Sequence, residues 1–248
     1  MKSRYRGVDQ FGTATQTDWK PDPSRPPRPG NEPDHALLAQ DREHALRLVD
    51  VSRETLERLD LFVGLLLDWQ KATNLVAAST LNSLWTRHIA DSLQLAELVP
   101  GVRTFVDLGS GAGFPGLMLA CATPEDSPSR FILIEANRKK AAFLRHAIEM
   151  TTAPALVREQ RIEAFVQEFR GRADVVTARA LAPFGMLLEQ AEPLFKTGAQ
   201  ALFLKGQDVE EELNEATRCW TIDVVLVPSK TDPKGRIVHV KSATRRSA

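Results

Sequence analysis

Between Thr104 and Gly116 the chain reads TFVDLGSGAGFPG: a short apolar strand holding Asp107, then Gly109, Gly111 and Gly113 at alternate positions, then the start of a helix. Glycine tolerates φ > 0 and carries no Cβ, so a ligand can lie directly against the main chain of such a loop. The spacing selects among ligands. A dinucleotide fingerprint is G-x-G-x-x-G, whereas here the third glycine comes one residue earlier and Phe114-Pro115-Gly116 follows. That spacing suits S-adenosylmethionine (SAM), which has no pyrophosphate to seat.

Further candidate groups recur after each apolar run. Glu135 closes FILIE, about 20 residues beyond the loop, where an acid can accept hydrogen bonds from a ribose diol. Asn137, Arg138, Lys139 and Lys140 open the following helix. Cations there oppose the helix dipole, a local cost that a bound phosphate offsets. Arg161, Ile162 and Glu163 follow the third strand, the loop that frames an adenine with an apolar side chain and a polar edge. The fourth strand delivers Thr177, Arg179 and Leu181, and the fifth ends in Lys205-Gly206-Gln207. Nothing in Ala178-Arg179-Ala180 suits proton abstraction from an amine. A ring nitrogen with a free lone pair needs no such base, only position and electrostatics. Arg179 can bind a carboxylate or phosphate bidentately.

These groups need a scaffold that brings strand ends together. The sequence predicts strands at 104–108, 131–135, 155–158, 173–178, 199–204, 222–227 and 236–241, alternating with helices at 114–123, 138–151, 161–169, 183–195 and 208–217. Such alternation specifies a mostly parallel sheet covered by helices, with ligands beyond the strands' carboxyl ends. Ahead of it, Leu56, Leu59, Phe62, Val63 and Leu66 recur at helical spacing behind a Ser52 N-cap, and a second helix is expected over 81–98. Trp69, Trp85 and His88 on this helical cap are read first as packing and hydrogen-bonding residues. Residues 1–34, with PDPSRPPRPGNEP, are read as a disordered Pro-rich extension, 35–100 as the cap and 101–248 as the catalytic domain, with 35–248 one compact unit.

Composition narrows the class. Across 248 residues, 43% hydrophobic, Lys plus Arg equals Asp plus Glu at 32 each, so overall charge does not argue for nucleic acid. Its distribution does: 130–145 holds five basic residues and one acid, and the stretch from Lys230 six basic residues and only Asp232. A basic face on a neutral protein still binds phosphate. Cys121 and Cys219 lie far apart, and His88 has no companion at ligand spacing, which disfavours a disulfide framework and a metal centre. The absence of a long apolar run or an apolar leader disfavours membrane insertion and secretion and fits a cytoplasmic protein.

Taken together, WQKATNLVAAS (69–79), RHIADSL (87–93), FVDLGSGAGFPGLMLA (105–120), LIEANRKKAAFLR (133–145), VVTARAL (175–181) and FLKGQ (203–207) resemble the RsmG/GidB family of bacterial 16S ribosomal RNA (guanine-N7) methyltransferases. The resemblance covers about residues 52–241. It implies a class I SAM-dependent methyltransferase fold, Rossmann-like, with a mostly parallel seven-stranded α/β sheet. It also implies transfer of a methyl group to N7 of a guanine in the decoding region, by positioning and electrostatics without a general base. By position, Gly109, Gly111, Gly113 and Phe114 would contact SAM, Glu135 its ribose, and Ile162 and Glu163 its adenine. Arg179 would complete the pocket as the catalytic residue. Lys139, Lys140, Arg161 and Lys205 would face RNA. The long N-terminus and the Glu-Ala-Asn in place of the commoner Asp-Ser of LIEANRKK depart from the family pattern. The expected partner is 16S ribosomal RNA or the small subunit, bound by a monomer without metal or membrane. Competing readings are a nicotinamide-dependent oxidoreductase, a non-catalytic ribosome-assembly module that binds RNA, and a SAM enzyme for another substrate.

Overall fold

A computed structural model describes Gly30 and residues 32–246; the extension expected over 1–34 lies almost wholly outside the described residues. The cap comprises α1 (His35–Ala45), α2 (Arg53–Gln70), a 3₁₀ turn (Ala78–Ser83), a π turn (Trp85–Ala90), α3 (Asp91–Leu93) and a second 3₁₀ turn (Gln94–Leu98). Then come β1 (Thr104–Leu108), α4 (Gly116–Cys121), β2 (Arg130–Ile134), α5 (Arg138–Thr151), β3 (Ala155–Arg158) and α6 (Ile162–Glu168). The chain ends in β4 (Val175–Arg179), α7 (Phe184–Phe195), β5 (Gln200–Lys205), α8 (Val209–Ala216), β6 (Trp220–Pro228) and β7 (Arg236–Arg245).

The seven strands lie in the order β3-β2-β1-β4-β5-β7-β6. β1 to β5 run parallel, and β7 is antiparallel to both β5 and β6. The chain builds outward from β1 to β3, then returns to place β4 on the other side of β1. That reversal is the switch point where open α/β sheets bind ligands. One face of the sheet carries α2, α4 and α5 over Phe105, Phe131 and Leu133; the other carries α6, α7 and α8 over Val106, Ile132 and Ile134. Side chains of alternate residues on one strand therefore feed two separate cores, as the pleat requires.

The cap is anchored from its own sequence. Ser52 Oγ accepts from the backbone N–H of Thr55 at 3.1 Å, capping α2, a contact type worth about 1 kcal/mol. The stripe of Leu59, Phe62, Val63 and Leu66 is buried. Phe62 meets the rings of Phe114 at 5.7 Å and Phe143 at 5.8 Å, tying α2 to the glycine loop and to α5; truncating a ring so placed costs about 3–5 kcal/mol.

The helix expected over 81–98 is instead broken into 3₁₀, π, α and 3₁₀ turns. Asp41 of α1 accounts for part of this, since its Oδ2 accepts from the backbone of Trp85 at 2.8 Å and Thr86 at 3.2 Å. An outside carboxylate thus takes N–H groups that a continuous helix would bond internally. Trp85 is buried beneath Arg42, whose guanidinium lies 5.2 Å from its ring centre. The loop between β6 and β7 closes on the same segment. Ser229 and Thr231 bond Asp91 and Gln94, and Lys230 Nζ bonds Glu97 at 2.6 Å. The cap is therefore held against the sheet from both sides of the switch point.

Candidate active site

The glycine loop is built almost entirely from main chain. Ser110 N donates to Ile134 O at 2.9 Å, and Gly113 N and Phe114 N both donate to Ser110 O, at 2.7 and 3.1 Å. Gly109, Gly111 and Gly113 have φ of +66°, +60° and +99°, values that cost an L-residue about 1–2 kcal/mol. A Cβ on Gly109 would lie 2.6 Å from Leu181 Cδ1, and one on Gly113 2.9 Å from Leu117 Cβ; at Gly111 it would meet nothing nearer than 3.8 Å. Two of the glycines therefore let neighbouring chain close in, and at the middle one the space a Cβ would take is open apart from the Gly109 carbonyl oxygen.

Glu135 stands immediately beyond β2 and is 9% exposed. Its Oε2 accepts from Gly111 N at 2.9 Å and its Oε1 from Asn137 N at 2.7 Å. Each oxygen keeps a second lone pair, so the acid holds the loop and can still accept from a diol. Asn137 in turn caps α5, accepting from the backbone N–H groups of Lys139 at 3.0 Å and Lys140 at 3.2 Å. Lys139 is exposed and Lys140 half-buried on that first turn.

Beneath the loop lies an acid that its spacing marks only as a strand residue. Asp107 is 1% exposed. Its Oδ1 accepts from Thr177 Oγ1 at 2.7 Å and its Oδ2 from Gly116 N at 3.3 Å. Burial pushes its pKa up to about 6, opposed by the hydrogen bonds and, weakly, by the charge of Arg179. A Cβ on Gly116 would sit 2.6 Å from Asp107 Cβ, so glycine here lets α4 start directly over β1.

Arg179 ends β4, across the switch point, with a side chain 17% exposed. Its Nη1 donates to the carbonyl of Arg87 at 3.1 Å, its Nη2 lies 2.6 Å from His88 Nδ1, and its Cζ lies 5.0 Å from the ring centre of Phe114. Asp91 Oδ2 approaches Nη1 only to 3.9 Å. Ala180 follows with φ +50°, turning the chain so that Leu181 lies over Gly109. The fourth strand thus contributes one side chain toward the cap and another onto the glycine loop.

The remaining expected residues are distributed unequally. Ile162 is buried in the core with Leu108 and Ile134, while Glu163 is exposed and accepts from Gln190 Nε2 at 3.4 Å. Arg161 is exposed just before α6. Phe114 is 4% exposed and its ring belongs to the core, between Phe62 and His88; any ligand contact from this residue comes from its backbone. Lys205 departs from the expectation of an RNA-facing cation. Its ammonium lies 2.6 Å from Glu212 and donates to Ala182 O at 3.1 Å, and Glu212 also accepts from Phe184 N. Lys205 thereby supports the loop after Arg179 from within. Trp69 and Trp85 are core residues, as expected from the sequence; His88 packs on Phe114 and also binds Arg179, which local spacing in RHIADSL does not reveal.

Among the described residues, no three His, Cys, Asp or Glu side chains converge as a metal site, and no helix is long and apolar enough to cross a membrane.

Residues 55–239 match the family described as GidB, rRNA small subunit methyltransferase G. The ribosomal RNA small subunit methyltransferase G of Bradyrhizobium sp. (strain BTAi1) is 54% identical over 211 residues, covering 85% of this chain and 95% of that protein. The protein of the same name from Nitrobacter hamburgensis is 52% identical over 220 residues, 89% of this chain and 84% of its own. Among solved structures, the O-methyltransferase from Bacillus cereus in complex with SAH is similar with a TM-score of 0.51 at 16% identity, over 82% of this chain and 97% of that one. That likeness is one of fold, the α/β Rossmann-like methyltransferase architecture expected from the sequence.

Proposed function

Because the chain belongs to the GidB family of rRNA small subunit methyltransferases G, we propose that it transfers a methyl group from SAM to N7 of a guanine in the decoding region of 16S ribosomal RNA. The observation that carries this reading is the pairing, across one switch point, of a glycine loop tied to Glu135 with an arginine held by the cap at the end of β4, where Ala178 and Ala180 on either side of it offer no proton acceptor. The loop suits the cofactor, since the space beside Gly111 is open and the Glu135 carboxylate stands next to it. When bound, SAM supplies a methyl carbon activated by a sulfonium for attack by a lone pair.

The protein's own residues then have three tasks. Gly109, Gly111, Gly113 and the backbone of Phe114 seat the cofactor; Glu135 takes its ribose hydroxyls, and Ile162 and Glu163 border its adenine. Lys139, Lys140 and Arg161 hold RNA phosphates at the same sheet edge, an attraction that weakens with salt. Arg179 presents positive charge to an anionic oxygen of cofactor or RNA and so fixes the reacting atoms. Guanine N7 is an acceptor without a proton, so correct placement is the main requirement, and orientation of this kind can supply several kcal/mol. Reaching a base in folded RNA requires it to be unpaired or turned out. Residues 35–248 act as one unit in this scheme, because Arg179 is held by the cap.

Mass analysis of 16S RNA from a deletion strain, with and without the restored gene, tests reaction, base and partner together. The expected result is loss and return of one N7-methylguanine; an unchanged mark overturns the proposal. Calorimetry with SAM, S-adenosylhomocysteine and NAD tests the cofactor, and binding of NAD alone would refute it.

A further inference from the structure

Arg179 is bound by the cap in an unusual way for a buried arginine. Its near neighbours are a carbonyl, an imidazole and an aromatic face; of the two carboxylates whose charge reaches it, Asp91 stands off at 3.9 Å and Asp107 is engaged by Thr177 and Gly116. That distance is too long for a hydrogen bond. Asp91 Oδ1 is occupied by Thr231 Oγ1 at 2.7 Å and Gln94 Nε2 at 2.9 Å. The hydrogen bonds of the Arg179 guanidinium to described residues are those to the Arg87 carbonyl and His88 Nδ1.

The proton positions on His88 follow from its two partners. A guanidinium only donates, so the 2.6 Å contact from Arg179 Nη2 requires a lone pair on Nδ1. Nε2 then carries the proton and donates to Thr80 Oγ1 at 2.9 Å, and that hydroxyl donates onward to Ala77 O at 2.8 Å. The chain of donors and acceptors runs one way, from guanidinium through the imidazole and the Thr80 hydroxyl to the cap backbone. Burial first, then the charges of Arg179 and Arg87, lower the His88 pKa to about 3, which keeps the ring neutral. Phe114 supports both groups, with its ring centre 4.9 Å from that of His88 and 5.0 Å from Arg179 Cζ.

Resting on the methyltransferase reading, we propose that His88 is a positioning residue for the reaction: its Nδ1 fixes the Arg179 guanidinium without cancelling its charge. A carboxylate in the same place would orient the arginine equally well and would quench it. A neutral imidazole orients it and leaves the positive charge for an anionic oxygen, either the cofactor carboxylate or an RNA phosphate. The π turn has a purpose in this arrangement, since it brings the Arg87 carbonyl and the His88 ring to the same guanidinium from one segment.

The test combines a spectrum with a pair of variants in the full chain. In ¹⁵N-histidine spectra at pH 7, His88 is expected as the neutral tautomer with Nε2 protonated and Nδ1 bare; the opposite tautomer or a cationic ring overturns the proposal. Turnover on small subunits is expected to fall about 100-fold in His88→Leu, the scale of a misplaced catalytic group. His88→Asn, whose Oδ1 can accept in place of Nδ1, should recover about ten-fold of that loss. Wild-type turnover in His88→Leu, or equal loss in both variants, overturns it. In His88→Leu, weakened SAM binding identifies the carboxylate as the anion, and weakened RNA binding the phosphate. If the wild-type chain methylates no RNA, the function proposed above fails, and the spectrum still decides the His88–Arg179 bond.

Discussion

The two sides of the switch point are built on different principles. On the β2 side, the glycine loop is closed mainly by backbone hydrogen bonds, and a side-chain tie joins Gly111 to Glu135, 24 positions away. On the β4 side, the site is made of side chains, and the decisive contact joins Arg179 to His88, 91 positions away and in a different layer. In the proposed function, a cofactor common to many enzymes is met by main chain whose geometry glycines set locally, and the particular substrate by side chains that only the tertiary fold brings together.

The largest test of this division is Arg179→Ala. Methyl transfer is expected to fall about 10³-fold, the range seen when a single preorganised donor is removed, with the circular dichroism spectrum unchanged. The backbone bonds of the glycine loop do not involve this side chain, so SAM affinity should fall far less than turnover where Arg179 meets an RNA phosphate, and in step with it where Arg179 meets the cofactor carboxylate. Equal losses in both would mean that the two sides form one site with no division of labour.

A second test acts below the glycine loop. The Asp107 carboxyl, ordinarily at 3.8, is raised to about 6 by burial. Between those pH values the folded protein holds a proton that the unfolded chain has lost. Stability therefore falls as pH rises through the window, is flat above it, and regains its full value only below the lower limit. A displacement of that size corresponds to about 3 kcal/mol. Urea midpoints from pH 4 to 7 should show the stability of wild type relative to Asp107→Asn declining by roughly that amount. A constant difference would place the titration elsewhere.

A smaller effect is expected from Gly109→Ala. The positive φ costs about 1–2 kcal/mol, and the new Cβ would press on Leu181 Cδ1 at 2.6 Å. SAM affinity measured by calorimetry should drop about ten-fold, which is about 1.4 kcal/mol, while RNA binding measured by filter retention should stay as in wild type. Loss of RNA binding would show that Leu181 couples the two sides.

The same division explains what is legible in the sequence. Alternating apolar runs mark each strand to within a few residues, and Gly109, Gly111 and Gly113 lie in the positive-φ positions that their spacing suggests. These are local features, governed by pleat and backbone sterics. The broken winding of 78–98 is not legible, because Asp41, more than forty residues earlier, takes the N–H groups that make the break. Nor is the pairing of Arg179 with His88, or of Lys205 with Glu212, because residue types alone do not say which buried cation meets which partner. The near-invisible signal is the placement of Arg87, His88 and Asp91 within one turn, which sets a carbonyl, an imidazole and a carboxylate toward one guanidinium.

Two of the three lysines expected at the RNA face, Lys205 and Lys139, sharpen the comparison at its smallest scale. Lys205 has a side chain 12% exposed and paired with Glu212 at 25%. Replacing it with Met leaves that carboxylate without its cation and frees the loop at Ala182; between the exposed and buried limits for ion pairs, the expected loss of stability is about 1–2 kcal/mol. RNA affinity should keep its wild-type dependence on salt, since no phosphate contact is removed. Lys139 is exposed on the first turn of α5, and Lys139→Ala should change stability by less than about 0.5 kcal/mol. It should also reduce the slope of log affinity against log salt by about one. Denaturant titration and RNA binding at several salt concentrations, run on both variants, separate the roles. If Lys205→Met reduces the salt slope while stability is unchanged, its bond to Glu212 opens when RNA binds, and the β4 side presents a cation that the unliganded fold keeps covered.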